Sequence, residues 1–214
     1  MPIGRYTGTT GAHRVALPVL RSLYDNAESV IEFAAANPDP GLLATWFGSR
    51  TSSTEVKDRI GHLRTYVAAG PVDIESRNQG TLGMSDLSDP ARKILIGWWF
   101  SLSWFNTGER VQTIIHELAH KALDARDKKI GDDYCYKHKA LELARLASRS
   151  REALENAENW GYFIANHRFL MPDAPARRDP DWSSIIAANV DRKGQPGAEL
   201  TQDPALIDGD NPRW

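Results

Sequence analysis

His116, Glu117 and His120 stand in the order His-Glu-x-x-His within the run VQTIIHELAHKALDARDKKIGDDYCY, residues 111–136. Residues four apart on a helix project from one face, so the two imidazoles can offer ring nitrogens to a single ion. Zinc is the metal such nitrogen donors commonly hold, and a catalytic site binds one Zn2+. Glu117 then sits beside the ion, where a carboxylate acts as base on the attacking water. The chemistry this spacing predicts is metal-assisted hydrolysis of a peptide bond.

A catalytic zinc takes three protein ligands and keeps a fourth position open. The extended pattern H-E-x-x-H-x-x-G-x-x-H requires glycine at 123 and histidine at 126, and Leu123 and Arg126 exclude it. Asp124 shares the histidine face, but ligands at i, i+4 and i+8 span about 12 Å along a straight helix and cannot meet at one ion. It reads as a surface carboxylate. If the helix ends in the charged run 124–129 with Gly131 as the turn residue, the chain can fold back and present Asp132 or Asp133. Glu142 and Glu158 remain as alternatives, in the manner of thermolysin-like enzymes. His62, and His138 with Glu142, read as surface groups, and Cys135 as a small buried residue.

The helix itself is expected independently of the motif. Val111, Ile114, Ile115, Leu118, Ala119 and Ala122 follow the i, i+3, i+4, i+7 pattern of an amphipathic helix. Asn106 with Glu109 forms a capping-box pair at its start. At about 100° per residue the histidines lie roughly 120 to 160° from the centre of the apolar stripe, mounted on the core but facing a cleft.

Before this stretch, the pattern predicts helices over 15–36, 41–47 and 52–67, the first ending ahead of Pro38 and Pro40. Residues 70–90 read as hairpin or loop, and KILIGWWFSLSW (93–104) as a strand. Strongly helical segments follow over 137–153 and 155–166. Residues 1–12 read as loose, with an ordered edge as the alternative. Trp98, Trp99 and Phe100 read as core aromatics, with a substrate-groove wall as the alternative.

Balanced charge bounds the partners. Lys and Arg number 26 against 28 Asp and Glu, a net charge of −2, which offers no basic footprint for nucleic acid. No apolar run reaches the roughly 20 residues that span a bilayer. The opening MPIGRYTGTTGAHRVALPVL lacks a basic segment followed by an apolar core, so no signal peptide is expected. With Cys135 as the only cysteine, no internal disulfide can form. A reducing compartment, or export by a leaderless or specialised route, follows as the expectation, and with it a delivered toxin or effector and an inhibitor or immunity partner.

Asp133-Tyr134-Cys135-Tyr136, after an H-E-x-x-H helix and a glycine, resembles the G-T-x-D-x-x-Y segment of the aspzincin metallopeptidases, the deuterolysin and peptidyl-lysine metalloendopeptidase family. Asn156-Ala157-Glu158-Asn159-Trp160-Gly161-Tyr162-Phe163 is similar to that family's N-A-D-S-Y-E-Y-F segment. Thr45-Trp46-Phe47-Gly48 resembles its W-F-G element, and Gln112-Thr113-Ile114-Ile115 its run into the first histidine. The resemblance extends over about 15–168.

It implies a disulfide-free, bacterial-type zinc endopeptidase of α+β, predominantly helical fold, zincin-like, with a small sheet beside the active-site helix. It implies His116, His120 and Asp133 as ligands, Glu117 as general base and Tyr136 as oxyanion donor, with a protein or peptide as substrate. Glu158 and Gly161 fall where lysine-specific members place the two acids that receive the substrate lysine, so one acid of the pair is missing. Residues 1–171 are expected to form the peptidase domain. Residues 172–214 are expected to form a Pro- and Asp-rich tail that packs on the domain, links from it or occupies the cleft. An alternative to the enzyme is a catalytically silent helical interaction module.

Overall fold

The computed structural model describes residues 3–8, 15–85, 87–103 and 105–185. Three helices open the chain: α1 (Leu17–Ala36), α2 (Pro40–Phe47) and α3 (Ser53–Ala68). In α1, Leu20, Leu23, Tyr24, Ala27, Val30, Ile31 and Ala34 are buried along one stripe, and Pro18 occupies the first turn, where a missing N–H costs nothing. Ser52 caps α3 by accepting the Glu55 N–H, and Val56, Ile60, Leu63 and Val67 bury its inner face.

Strands β1 (Tyr6–Gly8), β2 (Asp73–Arg77), β3 (Gly83–Met84) and β4 (Lys93–Gly97) form one sheet in the order β1-β2-β4-β3. β1 and β4 run parallel to β2, and only β3 runs antiparallel, against β4. The N-terminal segment is therefore an ordered edge over residues 3–8. β4 is interior, with Ile94, Leu95 and Ile96 buried.

The expected strand 93–104 stops at Gly97, and Trp98–Ser101 is a turn of 3-10 helix. At Gly97 the backbone of 79–82 comes so close that a Cβ would lie 2.1 Å from the Thr81 carbonyl oxygen. The Gly97 and Trp98 N–H groups bond there, to Leu82 and Gln79. The chain turns where that crossing segment takes the place of a strand neighbour.

Helix α4 (Thr107–Leu123) starts with the expected capping box. The Glu109 N–H donates to Asn106 Oδ1 at 3.0 Å, and the Asn106 N–H to Glu109 Oε2 at 3.2 Å. Val111, Ile114, Ile115, Leu118 and Ala119 are fully buried. A hairpin follows, β5 (Lys129–Ile130) with β6 (Asp133–Tyr134), then α5 (His138–Arg145), α6 (Ser150–Leu154) and α7 (Ala157–Asn166).

The single helix expected over 137–153 is thus two. Leu146 adopts an extended conformation, and Arg149 bonds Glu152 and the Lys129 carbonyl, which turns the chain back toward the hairpin. α7 lies along α4, and Phe47, Trp160 and Phe163 pack ring against ring behind it. Beyond Met171 the chain still belongs to this body as far as Ile185: Trp182 and Ile185 are buried, and the Asp181 carbonyl accepts the Gly108 N–H at 2.6 Å. The rest of the expected tail, 186–214, lies outside the described residues. Among the described residues no helix is long and apolar enough to cross a membrane.

Candidate metal centre and active site

His116 and His120 sit one turn apart on α4, both buried, with their Nε2 atoms 3.0 Å from each other. Each ring is held by its other nitrogen. His120 Nδ1 lies 2.7 Å from the Ala125 carbonyl oxygen and His116 Nδ1 lies 2.8 Å from Glu158 Oε2. Both partners are acceptors only, so both Nδ1 atoms donate and the two Nε2 atoms face each other. Asp127 Oδ1 joins them at 3.3 Å from His116 Nε2 and 3.6 Å from His120 Nε2.

Three electron-rich atoms facing one point repel unless a proton or a metal cation lies among them. Asp127 Oδ1 is buried and has no hydrogen-bond partner. Zinc held tetrahedrally by nitrogen and oxygen at about 2.0–2.1 Å sets its ligand atoms about 3.3 Å apart, the middle of the 3.0–3.6 Å found here. These three residues are also the His, Cys, Asp and Glu cluster that the described residues bring within 4.8 Å. The donor set fits zinc, with room for further oxygen ligands from the cleft.

The electrostatics follow from the crowding. Burial opposes charge on His116, yet the Asp127 and Glu158 carboxylates outweigh it and raise the imidazole well above its ordinary range. Burial and the neighbouring His116 push His120 down to about 4. Burial would raise Asp127, but His116 and His120 hold it down at about 2. Burial pushes the Glu117 carboxyl up to about 7, with His116 pulling the other way. The lowered His120 and Asp127 leave a free lone pair and a carboxylate for a cation, and the raised His116 reflects the negative surroundings that favour one.

Asp133 does not join this cluster. It stands on β6 with its side chain 70% exposed, ion-paired with Lys139. Asp132, Glu142, His62 and His138 are exposed as well. The reason is where α4 stops. The helix ends at Leu123, ahead of the charged run, because Asp124 takes the left-handed conformation at φ 50°. Short polar side chains tolerate that conformation better than other non-glycine residues. The chain reverses at once, and Asp127 comes back under the histidines only seven residues after His120.

Asp127 thus follows three residues after a left-handed residue, Asp124. Ile130-Gly131-Asp132-Asp133, the stretch the resemblance aligns with G-T-x-D, is a hairpin, with Gly131 at φ 61° in its two-residue turn. The signal that could have located Asp127 is an Asp at a helix C-terminus followed three residues later by another.

Tyr136 does reach the site. Its hydroxyl donates to Asp127 Oδ2 at 3.1 Å, and burial together with Asp127 raises its pKa, which keeps the proton in place. Glu117 faces the same cleft, Oε1 3.9 Å from His116 Nε2 and Oε2 buried without a partner. The cleft encloses about 360 Å3, and Gly83, Met84 and Ser85 form its opposite wall. A Cβ at Gly83 would lie 2.3 Å from Glu117 Oε1, so β3 must pass the carboxylate with a glycine. Ser85 Oγ donates to the Glu117 carbonyl at 3.2 Å and ties β3 to α4.

Glu158 and Gly161 are not open to a substrate side chain. Glu158 is 6% exposed, and Gly161 is buried under Gln112. Neither Trp98 nor Trp99 lines the cleft.

The irregular segment 124–137 is anchored from α7. Asn156 Oδ1 accepts the Lys128 N–H at 3.0 Å, and Asn156 Nδ2 donates to the Cys135 carbonyl at 3.2 Å and to Asn159 Oδ1 at 2.6 Å. One buried amide therefore clamps both ends of the hairpin that separates Asp127 from Tyr136.

Two histidines on an H-E-x-x-H helix joined by an aspartate from the segment after it, a neighbouring buried glutamate and a cleft walled by an edge strand define a zincin-type metallopeptidase. The model of the aspzincin family, described as lysine-specific metallo-endopeptidase, matches residues 32–165. The chain belongs to this family, and it is a zinc-dependent endopeptidase acting on proteins or peptides. Among solved structures it is similar to a zinc peptidase from Grifola frondosa, with a TM-score of 0.53 and 19% identity over 68% of this chain and 91% of that one. That likeness supports the α+β, predominantly helical fold. No curated protein matches the chain.

Proposed function

We propose that His116, His120 and Asp127 hold the catalytic zinc, that Glu117 is the general base and that Tyr136 stabilises the oxyanion. The observation that carries this reading is the convergence of two histidine Nε2 atoms and an unpartnered buried carboxylate oxygen at the floor of the cleft. A zinc ion held there supplies a Lewis acid that acidifies a water and polarises a carbonyl. The Glu117 carboxylate takes the proton of the attacking water and delivers it to the leaving amine. The Tyr136 hydroxyl, protonated throughout, turns from Asp127 Oδ2 to donate to the oxygen on which charge develops.

The substrate backbone runs along β3. β4 has neighbours on both sides and cannot accept another strand, whereas β3 is the sheet edge beside Glu117. An extended peptide adds there by main-chain hydrogen bonds, the general mode by which sheet edges bind peptides.

Elemental analysis of the purified chain beside Asp127→Ala and Asp133→Ala tests the ligand set. One zinc in wild type and in Asp133→Ala, with none in Asp127→Ala, is the expected result. Zinc retained in Asp127→Ala and lost in Asp133→Ala would sink the assignment.

A further inference from the structure

We infer that Glu158 is a positioning residue, which fixes His116 and the turn after Tyr136, and that it does not receive a substrate lysine. The inference rests on the metal-site reading above and extends it to cleavage preference.

Both carboxylate oxygens of Glu158 are occupied from within the protein. Oε2 accepts from His116 Nδ1 at 2.8 Å and from Gln112 Nε2 at 3.0 Å. Oε1 accepts the Lys137 N–H at 3.0 Å. The first bond fixes the tautomer and plane of His116, the usual work of a carboxylate behind a metal-binding imidazole. The last holds a strained backbone: Lys137 has φ 49° and ψ −118°, a conformation side-chain-bearing residues rarely adopt. Tyr136 immediately precedes it. A single buried side chain on α7 thus joins a histidine on α4 to the backbone just after the tyrosine of the irregular segment.

Gly161 completes the argument. A Cβ there would lie 2.7 Å from Gln112 Nε2 and 3.1 Å from the Gln112 carbonyl oxygen. The Gln112 amide fills the space where a second acid at 161 would begin, and from there it donates to Glu158. With glycine at one position and the acid at the other buried and holding three internal hydrogen bonds, an incoming ammonium group finds no exposed carboxylate at either position. A lysine could reach Glu158 only by displacing the groups that bury it.

The test uses the full chain. Zinc affinity is measured by competition with a chromophoric chelator for wild type and Glu158→Gln, and both are profiled on a peptide library. The His116 Nδ1–H resonance of the zinc-loaded protein is followed by NMR. The amide presents one acceptor oxygen in place of two, so zinc affinity should fall by roughly 10- to 100-fold and the resonance should shift. Wild type should show no enrichment of lysine beside the cut, and the variant's profile should match it.

Unchanged zinc affinity, or a lysine enrichment in wild type that Glu158→Gln abolishes, overturns the inference. If Glu158→Gln does not fold, Gln112→Ala takes its place, with a several-fold loss of zinc affinity and an unchanged profile expected; unchanged affinity there overturns the inference equally. A wild type that binds no zinc would instead overturn the metal-site reading itself, so the two failures are distinguishable.

Discussion

On one side of the site, α4 presents His116, Glu117 and His120 to the cleft and α7 sets Glu158 behind them, all from the interior of regular helices. On the other, Asp127 and Tyr136 stand on the irregular backbone between Asp124 and Lys137. The helical side satisfies its own backbone and needs only packing, which the fully buried Val111, Ile114, Ile115 and Leu118 provide. The irregular side has little apolar surface of its own, and it is held by polar bonds reaching across from α7. Asn156 grips Lys128 and Cys135, the Arg126 N–H donates to the Glu155 carbonyl at 2.8 Å, and the Ala157 N–H donates to the Arg126 carbonyl at 3.2 Å. Precision on this side depends on buried hydrogen bonds, which are costly to leave unmade.

The largest expected effect is on the irregular side. Asp127→Ala should abolish zinc binding and all detectable peptidase activity, while Asp133→Ala on the same segment should leave both close to wild type; elemental analysis and a peptide digest check both.

On the helical side, Glu117→Gln removes a base without removing a ligand. Turnover should drop by roughly 10²- to 10⁴-fold, the range general acid–base catalysis contributes, with one zinc still bound. Full activity in that variant would show that the two sides do not divide the work as described.

Asn156→Ala then probes the bridge between the sides. It removes a side chain 1% exposed that makes three hydrogen bonds, and it should destabilise the fold by about 2 kcal/mol in urea denaturation. It should also weaken zinc binding, because Asp127 loses its support. A variant that loses stability yet binds zinc as tightly as wild type would make the irregular side self-supporting.

The smallest effect concerns a purely helical contact away from the metal. His167 is fully buried at the end of α7, donating from Nδ1 to the Phe163 carbonyl at 2.8 Å and accepting the Asp39 N–H on Nε2 at 3.1 Å. Burial lowers its pKa below the ordinary 6.5. The unfolded chain therefore takes up a proton at higher pH than the folded one. The stability this site contributes is complete above about pH 6.5 and is lost as pH falls toward the lowered folded value. Melting temperatures at pH 7.5 and 5 should show a smaller acid loss in His167→Gln than in wild type.

Those contrasts also explain what could be read in the residue order. The capping box at Asn106 and Glu109, the apolar stripe of α4 and the two histidines one turn apart follow from local periodicity, which a linear chain displays. The three opening helices were legible for the same reason. The break between α5 and α6, the stop of β4 at Gly97 and the placement of Asp127 depend on neighbours distant in the chain: Arg149 on the Lys129 carbonyl, the 79–82 segment across Gly97, and Asn156 beneath the hairpin.

The sequence by itself determined the His116-Glu117-x-x-His120 face, the helix that carries it and the family resemblance. All of these are set by spacing within one element or by short ordered motifs. Only the tertiary structure decided which carboxylate completes the cluster and what Glu158 does. Asp127 and Asp133 are chemically identical and six residues apart. What separates them is the left-handed turn at Asp124, which aims one carboxylate at the histidines, and the hairpin, which carries the other to solvent and Lys139. Long-range hydrogen bonds from α7 select between them, and residue order along the chain does not display such bonds.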